Sequence, residues 1–259
     1  MLSLLRRRPK PVAAPFPAEV PAGQRVYAIG DVHGRLDLLE DLLGRIHADD
    51  AALPPVETHV MVLGDLIDRG PASAGVVRRV MAGDARFASF TSLRGNHEQS
   101  LLSVLDGDTR WLASWLTYGG RAALLSWGVA EDLLDEGSPA EIAAAARAAV
   151  PVGERQWLAA LPASRRIGGY LFVHAGVRPG VPLDRQSDED MMWIRQEFLE
   201  DESEHGAVVI HGHTIFRAPQ VRTNRIGIDT GAYISGTLTA VALEGREHRF
   251  LATAESGSL

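Results

Sequence analysis

Five short apolar runs in this 259-residue chain each end in polar side chains that can bind a metal ion. The runs are rich in residues that favour β-strands, and they end in the blocks YAIGD, MVLGD, SLRGN, LFVH and VVIHGH. A single Gly-Asp pair would indicate only a turn, because Asp caps its own backbone and Gly accepts a positive φ. Five such blocks predict that distant parts of the chain meet at one edge of a sheet, where strands end.

Strands and helices alternate in the first hundred residues, whereas the second half is mostly of β type. Strands are predicted at residues 25–29, 59–63 and 87–93, with helices at 36–47 and 73–81 between them. The later strands are predicted at 170–173, 207–210, 221–228 and 238–243. This order predicts an α/β fold in which mixed β-sheets are flanked by helices.

One domain, predicted over residues 24–250, carries all five blocks. Residues 1–23 are basic and rich in Pro and Ala, and we expect them to form a flexible leader because they lack the continuous apolar stretch of a secretion signal. Leucine, tryptophan and alanine recur at helical spacing over about 99–163, which predicts a helical insert or cap. Residues 251–259 are predicted to be a polar tail.

The composition excludes several classes of protein. Cysteine is absent, which rules out disulfides and thiolate-bound metal sites. A net charge of −7 argues against a nucleic-acid partner, and no apolar run approaches the ~20 residues that a membrane-spanning helix needs. We expect a cytoplasmic protein with no nucleic-acid or membrane partner, present as a monomer or a weak oligomer.

The side chains at the predicted strand ends provide carboxylate, imidazole and amide donors without sulfur, a set that suits manganese, iron or zinc and fits calcium poorly. The predicted ligands are Asp31, His33 and Asp65 for one ion, and Asp65, Asn96, His174 and His213 for a second. Asp65 would then bridge two divalent ions. Such a pair lowers the pKa of a bridging water toward neutrality, so that the hydroxide can attack phosphorus in line.

Phosphoester chemistry has two further needs, a proton for the leaving oxygen and donors for the phosphate. His97 can supply the proton as general acid, with Asp68 holding its imidazole oriented. Lys10 is the sole lysine, so arginine has to bind the phosphate, and its planar fork suits that role. The predicted phosphate-binding residues are Arg69, Arg195 and Asn96.

The segments GDVHG, GDLIDRGP, LRGNHE, HAG and GHT together resemble the phosphoprotein-phosphatase branch of the calcineurin-like metallophosphoesterases. The resemblance runs from about residue 27 to 243 and is strongest to bacterial and bacteriophage Ser/Thr protein phosphatases. It implies a four-layer fold, with two β-sheets packed face to face between helices, and a two-metal centre that commonly holds manganese in bacterial members. It also implies the same roles for the matching residues.

The resemblance implies hydrolysis of phosphoserine and phosphothreonine, with phosphotyrosine and small phosphoesters as further substrates. An alternative is a symmetrical dinucleoside polyphosphate hydrolase, a group that typically lacks the aspartate equivalent to Asp68 and carries GNHD where this chain has GNHE. The segments WLTYGGRAALLSWG and IDTGA occur in both groups, which keeps the alternative open. A weaker alternative is a non-catalytic module that binds phosphate or metal and regulates a partner.

Other conspicuous residues receive structural predictions. His211 is interpreted as a residue behind His213 and is not counted as a ligand. The tryptophans of the insert lie at core-like spacing, and stacking on a nucleobase is the less favoured use; they are Trp111, Trp115, Trp127 and Trp157.

Overall fold

Two β-sheets form the centre of the protein in this computed structural model, which describes residues 18–253. In that part of the chain the strands are β1 (Gln24–Ile29), β2 (Glu57–Val62), β3 (Ser89–Ser92), β4 (Ser164–Ile167), β5 (Tyr170–Val173), β6 (Val208–His211), β7 (Gln220–Val221), β8 (Arg225–Gly227), β9 (Thr239–Glu244) and β10 (Glu247–Ala252). The first sheet has the order β10-β9-β1-β2-β3, and the second has the order β4-β5-β6-β8-β7. In the first sheet β1, β2 and β3 are parallel and the pairs of β9 with β1 and β10 are antiparallel. The second sheet has a parallel centre and two antiparallel edges, so both sheets are mixed.

Helices cover the outer faces of both sheets. They are α1 (Leu36–Ala51), α2 (Ser73–Ala82), α3 (Asn96–Leu105), α4 (Leu112–Trp115), α5 (Arg121–Ser126), α6 (Glu131–Glu136), α7 (Pro139–Ala149), α8 (Val152–Ala160), α9 (Asp188–Trp193), α10 (Gln196–Leu199) and α11 (Ala232–Ser235). A kinked turn, Leu116–Gly120, joins α4 to α5, and Leu183–Arg185 form a short 3₁₀ turn. Among the described residues, no helix is both long and apolar enough to cross a lipid bilayer.

The alternation of side chains along β1 explains the layering. Tyr27 and Ile29 point to the core shared with the helices, whereas Val26 and Ala28 point to the core between the two sheets. Because both faces of β1 are buried, its sequence is a nearly continuous apolar run. The outer face of the second sheet packs on α9 and α10 through residues such as Phe198. The predicted four-layer α/β fold is therefore confirmed.

The order of the predicted central elements agrees with the structure, while the sheet edges differ. The strand predicted at 221–228 is an antiparallel hairpin, β7 and β8, closed where Arg222 N–H donates to the Arg225 carbonyl at 2.8 Å. The edge strands β4 and β10 were not predicted, because alternating polar and charged residues on an exposed edge resemble a loop in sequence.

Within the described chain, packed residues occur before residue 24 and a strand continues past residue 250. Residues 1–17 of the predicted leader lie outside the described residues, but Ala18 and Val20 are buried in the core between the sheets. The Val20 amide also donates to the Gly245 carbonyl at 2.8 Å. At the other end, β10 continues through Ala252, inside the predicted tail. Residues 254–259 of that tail are likewise outside the described part.

Helices α3 to α8 occupy the region predicted as a helical insert. Their apolar faces, including Leu101, Leu124 and Leu158, join the same core cluster as α1, α2 and the first sheet. The region is therefore packed into the outer helical layer, while its α3–α4 side also faces the cleft described below.

Candidate active site

The loops that follow five strands bring the predicted site residues to one side of the two sheets. Asp31 and His33 follow β1, Asp65 and Asp68 follow β2, and Asn96 and His97 begin α3 after β3. His174 follows β5 and His213 follows β6, so the second sheet contributes as well. All eight side chains are buried.

Backbone strain is concentrated in these loops. Within the described chain, the non-glycine residues with positive φ are His33, Asp65, Asp68, Arg69 and His213, with φ between 45° and 73°. Residues other than glycine adopt a positive φ at a cost in conformational energy, and residues with such strain cluster at functional sites. Hydrogen bonds hold the strained turns, since the amides of Val32 and His33 both donate to the Asp65 carbonyl.

One group of potential metal donors consists of Asp65, His174 and His213, whose donor atoms lie within 4.8 Å of one another. His174 Nε2 is 3.4 Å from Asp65 Oδ2, 3.1 Å from His213 Nδ1 and 2.9 Å from Asn96 Oδ1. On its other side, His174 Nδ1–H donates to the Leu63 carbonyl at 3.0 Å. That bond fixes the tautomer, so the Nε2 lone pair of a neutral His174 faces the group.

A second group consists of His33, Asp65 and His97, again with donor atoms within 4.8 Å. His33 Nδ1–H donates to the Ile67 carbonyl at 2.8 Å, which leaves Nε2 3.5 Å from Asp65 Oδ2. His97 Nε2 is 3.8 Å from the same carboxylate oxygen. Asp65 is thus common to both groups, which is the position that a bridging ligand needs.

The chemistry of the donors fits divalent cations. His213 Nε2 is buried and lacks a hydrogen-bond partner among the described residues. Burial lowers the pKa of His174, but the Asp65 and Asp31 carboxylates outweigh it and raise that pKa to about 10, so the position attracts positive charge. Buried carboxylates need such compensation, and a metal ion supplies it.

Asp31 lies beside these groups and belongs to neither three-donor set. Both oxygens of its carboxylate accept the His213 amide at 3.1 Å. Gly212 is in close contact, since a Cβ there would lie 2.0 Å from Asp31 Oδ1. Burial, and then the negative charge of Asp229, raise the pKa of Asp31 well above its usual value. Its role as a ligand stays a prediction.

The two residues predicted for proton transfer are in direct contact. His97 Nδ1–H donates to Asp68 Oδ2 at 2.5 Å, and Trp115 Nε1–H donates to the same oxygen at 2.7 Å. Burial opposes a charged imidazole, but Asp65 and Asp68 outweigh burial and raise the pKa of His97. The arrangement therefore favours a protonated His97 held in one orientation.

The guanidinium of Arg69 lies across the mouth of the site. Its Nη1 is 3.0 Å from His33 Nε2, and its Nη2 is 3.2 Å from His97 Nε2. It also stacks on Tyr233, with Cζ 4.4 Å from the ring centroid. Arg195 is exposed at the start of α10. Burial lowers the pKa of His213, and the charges of His174 and Arg195 lower it further.

A cleft of about 910 Å³ opens onto this site. The predicted phosphate-binding residues Arg69, Asn96 and Arg195 all line it, beside His97. The far walls come from α3, the segment around α4, and α9, and include Trp111 and Trp193.

The tryptophans of the insert differ in their surroundings. Trp115 and Trp127 are buried as predicted, and Trp157 packs against the core while partly exposed. Trp111 is 73% exposed at the cleft, so the core assignment of this residue was wrong. Helical spacing cannot distinguish a core face from a face that lines a cleft, because both lie on one side of a helix.

Two buried acids at the site were missed in the sequence. The Glu98 carboxylate accepts the amides of Gly95, Asp65, Leu66 and Ile67, and so ties the loop after β2 to the start of α3. This capping interaction was missed because the turn GNHE has no Ser or Thr at the start of the helix, although Glu at the third helical position is a usual signal of it.

Asp229 is the second acid. It follows β8, and burial raises its pKa to about 6. Its segment RIGID repeats the pattern of an apolar strand that ends in an acid.

His211 is buried and lies outside both donor groups. Its Nδ1–H donates to the Gly212 carbonyl at 3.0 Å, within the turn that leads to His213. The interpretation of His211 as a residue behind His213 stays a prediction.

The fold and the donor groups define the class as metal-dependent phosphoesterases. The profile of the calcineurin-like phosphoesterase family matches residues 24–235, and the chain belongs to that family. The predicted resemblance to its phosphoprotein-phosphatase branch is supported by a relative named serine/threonine-protein phosphatase 1, from Salmonella typhimurium. That relative is 28% identical over 230 residues, which cover 85% of this chain and 93% of the relative.

Relatives of a second kind match part of the chain. The symmetrical bis(5'-nucleosyl)-tetraphosphatase of Aromatoleum aromaticum is 30% identical over 156 residues, which are 60% of this chain. The match covers 45% of that enzyme, so the chain spans less than half the length of this relative. A crystal structure of a candidate diadenosine tetraphosphatase superposes with a TM-score of 0.61 at 23% identity, covering 94% of this chain and all of that one. At this identity the superposition supports the fold alone.

Proposed function

We propose that this protein is a metal-dependent phosphomonoesterase that hydrolyses phosphoserine and phosphothreonine, with some activity toward phosphotyrosine and small phosphoesters. The observation that carries the proposal is the Asp68–His97 pair at the edge of the cleft, beside two donor groups that share Asp65. A proton donor next to a pair of cation sites is what cleavage of a stable phosphate ester needs.

The proposed metal ligands are Asp31, His33, Asp65, Asn96, His174 and His213. Divalent ions held there, manganese first, with iron or zinc as alternatives, would supply Lewis acidity and an activated water. The chain's own residues set the orientation of the ligands, because the Leu63 and Ile67 carbonyls fix His174 and His33 through their Nδ1–H groups.

His97 acts in this proposal as the general acid that protonates the leaving oxygen. Asp68 accepts from Nδ1–H, so the imidazole cannot rotate and its Nε2 faces the cleft side, where Arg69 also lies. Arg69 and Arg195 would bind the non-bridging phosphate oxygens, and Asn96 lines the same part of the cleft. The Salmonella relative supports the choice of phosphoprotein substrates.

A second candidate function is hydrolysis of dinucleoside polyphosphates. It is favoured by the exposed Trp111 and the half-exposed Trp193 in the cleft wall, since aromatic side chains stack on nucleobases. The names of several relatives support the same reading.

A direct comparison of substrates tests the proposal. Chelated and manganese-loaded enzyme are compared on a phosphoserine peptide, 4-nitrophenyl phosphate and diadenosine tetraphosphate. We expect activity to require the metal and kcat/KM to be highest for the peptide. A higher kcat/KM for diadenosine tetraphosphate would transfer the assignment to the second candidate. Inactivity on every substrate would leave only a non-catalytic binding module.

A further inference from the structure

Trp115 contacts the proton-transfer pair from outside the loops that carry the metal donors. Its Nε1–H donates to Asp68 Oδ2 at 2.7 Å, the same oxygen that accepts from His97. The other oxygen, Asp68 Oδ1, is buried and has no hydrogen-bond partner among residues 18–253. Trp115 and His97 therefore fix the Asp68 carboxylate from two directions, while the backbone amide of Asp68 is held by Ser73 Oγ at 3.0 Å.

The indole itself is held rigidly. Trp115 is the last residue of α4, and the chain then passes through the kinked turn to Gly120. A Cβ on Gly120 would lie 2.4 Å from the indole ring, so only glycine allows the backbone to approach the ring this closely. Gly119 in the same turn has non-helical backbone angles, so the chain is kinked between α4 and α5.

The same turn also contacts Arg69, the residue after Asp68. The Arg69 amide donates to the Gly119 carbonyl at 3.2 Å, and Arg69 Nε donates to the Tyr118 carbonyl at 3.5 Å. Gly119 has a φ of +123°, and a Cβ there would lie 2.6 Å from the Arg69 nitrogen. Both strained residues of the Asp68–Arg69 turn are thus braced by one segment of the helical region.

We propose that Trp115 is a positioning residue for the general acid, because it holds the Asp68 carboxylate in the rotamer that orients His97. The segment Trp115–Gly120 likewise holds Arg69 in the position from which it would bind phosphate. The helical region of residues 99–163 thereby becomes part of the catalytic apparatus. This inference rests on the proposed function, because it assumes that His97 protonates a leaving group.

A packing role alone would make a different prediction from a positioning role. If Trp115 only filled space, Trp115→Phe would leave proton transfer intact. If the hydrogen bond from Trp115 Nε1–H orients Asp68, its loss should slow hydrolysis most for those substrates whose leaving oxygen most needs a proton. An alkoxide such as that of serine needs the proton more than nitrophenolate does.

The test measures Trp115→Phe in the manganese-loaded enzyme on a phosphoserine peptide and on 4-nitrophenyl phosphate. We expect kcat for the peptide to fall about tenfold with KM nearly unchanged, and kcat for 4-nitrophenyl phosphate to fall by less than about twofold. In a His97→Asn background the same change should have no further effect on the peptide, because coupled residues are not additive.

Trp127→Phe is the matched control. Trp127 is similarly buried, and its Nε1–H donates to a carboxylate, Glu154 Oε2, at the same 2.7 Å. Glu154 and Trp127 belong to the outer helical layer and not to the cleft lining. We expect this variant to keep wild-type kcat on both substrates, which separates loss of an indole bond in general from loss of the bond to Asp68.

A second measurement keeps the inference testable if Trp115→Phe folds poorly. The indole N–H signal of Trp115, assigned by triple-resonance NMR, should move in Asp68→Asn, while that of Trp127 stays in place. Equal loss on both substrates, equal effects of the two tryptophan variants, or an unmoved Trp115 signal would overturn the inference. Absence of wild-type phosphatase activity would instead overturn the proposed function, since the NMR result does not depend on turnover.

Discussion

At the scale of single residues, the site contains histidines in which one ring nitrogen already makes a hydrogen bond. His33 and His174 each donate Nδ1–H to a backbone carbonyl, and His97 donates Nδ1–H to Asp68. In every case Nε2 is the atom that faces the donor groups or the cleft. The partner of Nδ1–H is a carbonyl for His33 and His174 and a carboxylate for His97, and the negative charge of a carboxylate favours the charged imidazole more strongly than a neutral carbonyl does.

This difference gives a prediction for His97→Asn. The variant should lower kcat for the phosphoserine peptide by about 10²- to 10⁴-fold, because general acid catalysis contributes on that order. Metal content, measured by elemental analysis, should stay close to that of the wild type. His47→Asn is the control, since His47 pairs with Asp84 and stacks on Phe87 away from the cleft. A large loss of metal in His97→Asn would instead make His97 a ligand, as its closeness to Asp65 permits.

At the scale of secondary-structure elements, a buried ion-pair network joins the first sheet to α1. Arg25 in β1 is fully buried, and its guanidinium donates to Asp50 at the end of α1 at 2.6 Å and to Glu244 in β9 at 2.8 Å. Asp50 also accepts from the Thr58 hydroxyl in β2 at 2.8 Å. A buried charge that loses its partner is costly, so this network ties α1 to the strands that carry Asp31 and Asp65.

Two aspartates on α1 allow a matched test of that network. Asp50→Ala should lower the free energy of unfolding by about 2 kcal/mol, since it leaves the Arg25 guanidinium partly unpaired in the core while the partial exposure of Asp50 reduces the effect. Asp41→Ala removes an exposed pair with Arg45 and should cost about 0.5 kcal/mol or less. Urea denaturation measures both, and equal losses would show that the network does not stabilise the sheet–helix contact.

At the scale of the whole molecule, the donor group of Asp65, His174 and His213 connects the two sheets. Asp65 comes from a loop of the first sheet, whereas His174 and His213 come from loops of the second. A cation bound between them would bind the native state and not the unfolded chain. Metal binding should therefore stabilise the entire fold by mass action.

Manganese should raise the thermal unfolding midpoint of the chelated protein. At a free concentration of about 100 times the Kd, the expected gain in unfolding free energy is about 2.7 kcal/mol. Asp65→Asn should reduce both this shift and the content of both ions, because Asp65 belongs to both donor groups. Calcium should give little shift with these nitrogen-containing donors. Loss of only one ion in Asp65→Asn would refute a bridging role.

The sequence by itself determined the layered fold and predicted most of the side chains that meet at the site. Buried central strands are continuous apolar runs, and a polar residue that ends such a run has to lie at a sheet edge, so Asp31, Asp65 and His174 could be found without coordinates. These signals are local, since each depends on a few consecutive residues.

Only the tertiary structure decided the sheet edges and the contacts between segments distant in sequence. The edge strand β10 carries charged residues, and only its pairing with β9 defines it as a strand. Trp111 and Trp115 have the same helical spacing, yet one lines the open cleft and the other donates to Asp68. Burial and hydrogen bonding of this kind depend on which distant element packs against a residue, and a single sequence does not contain that information in any one segment.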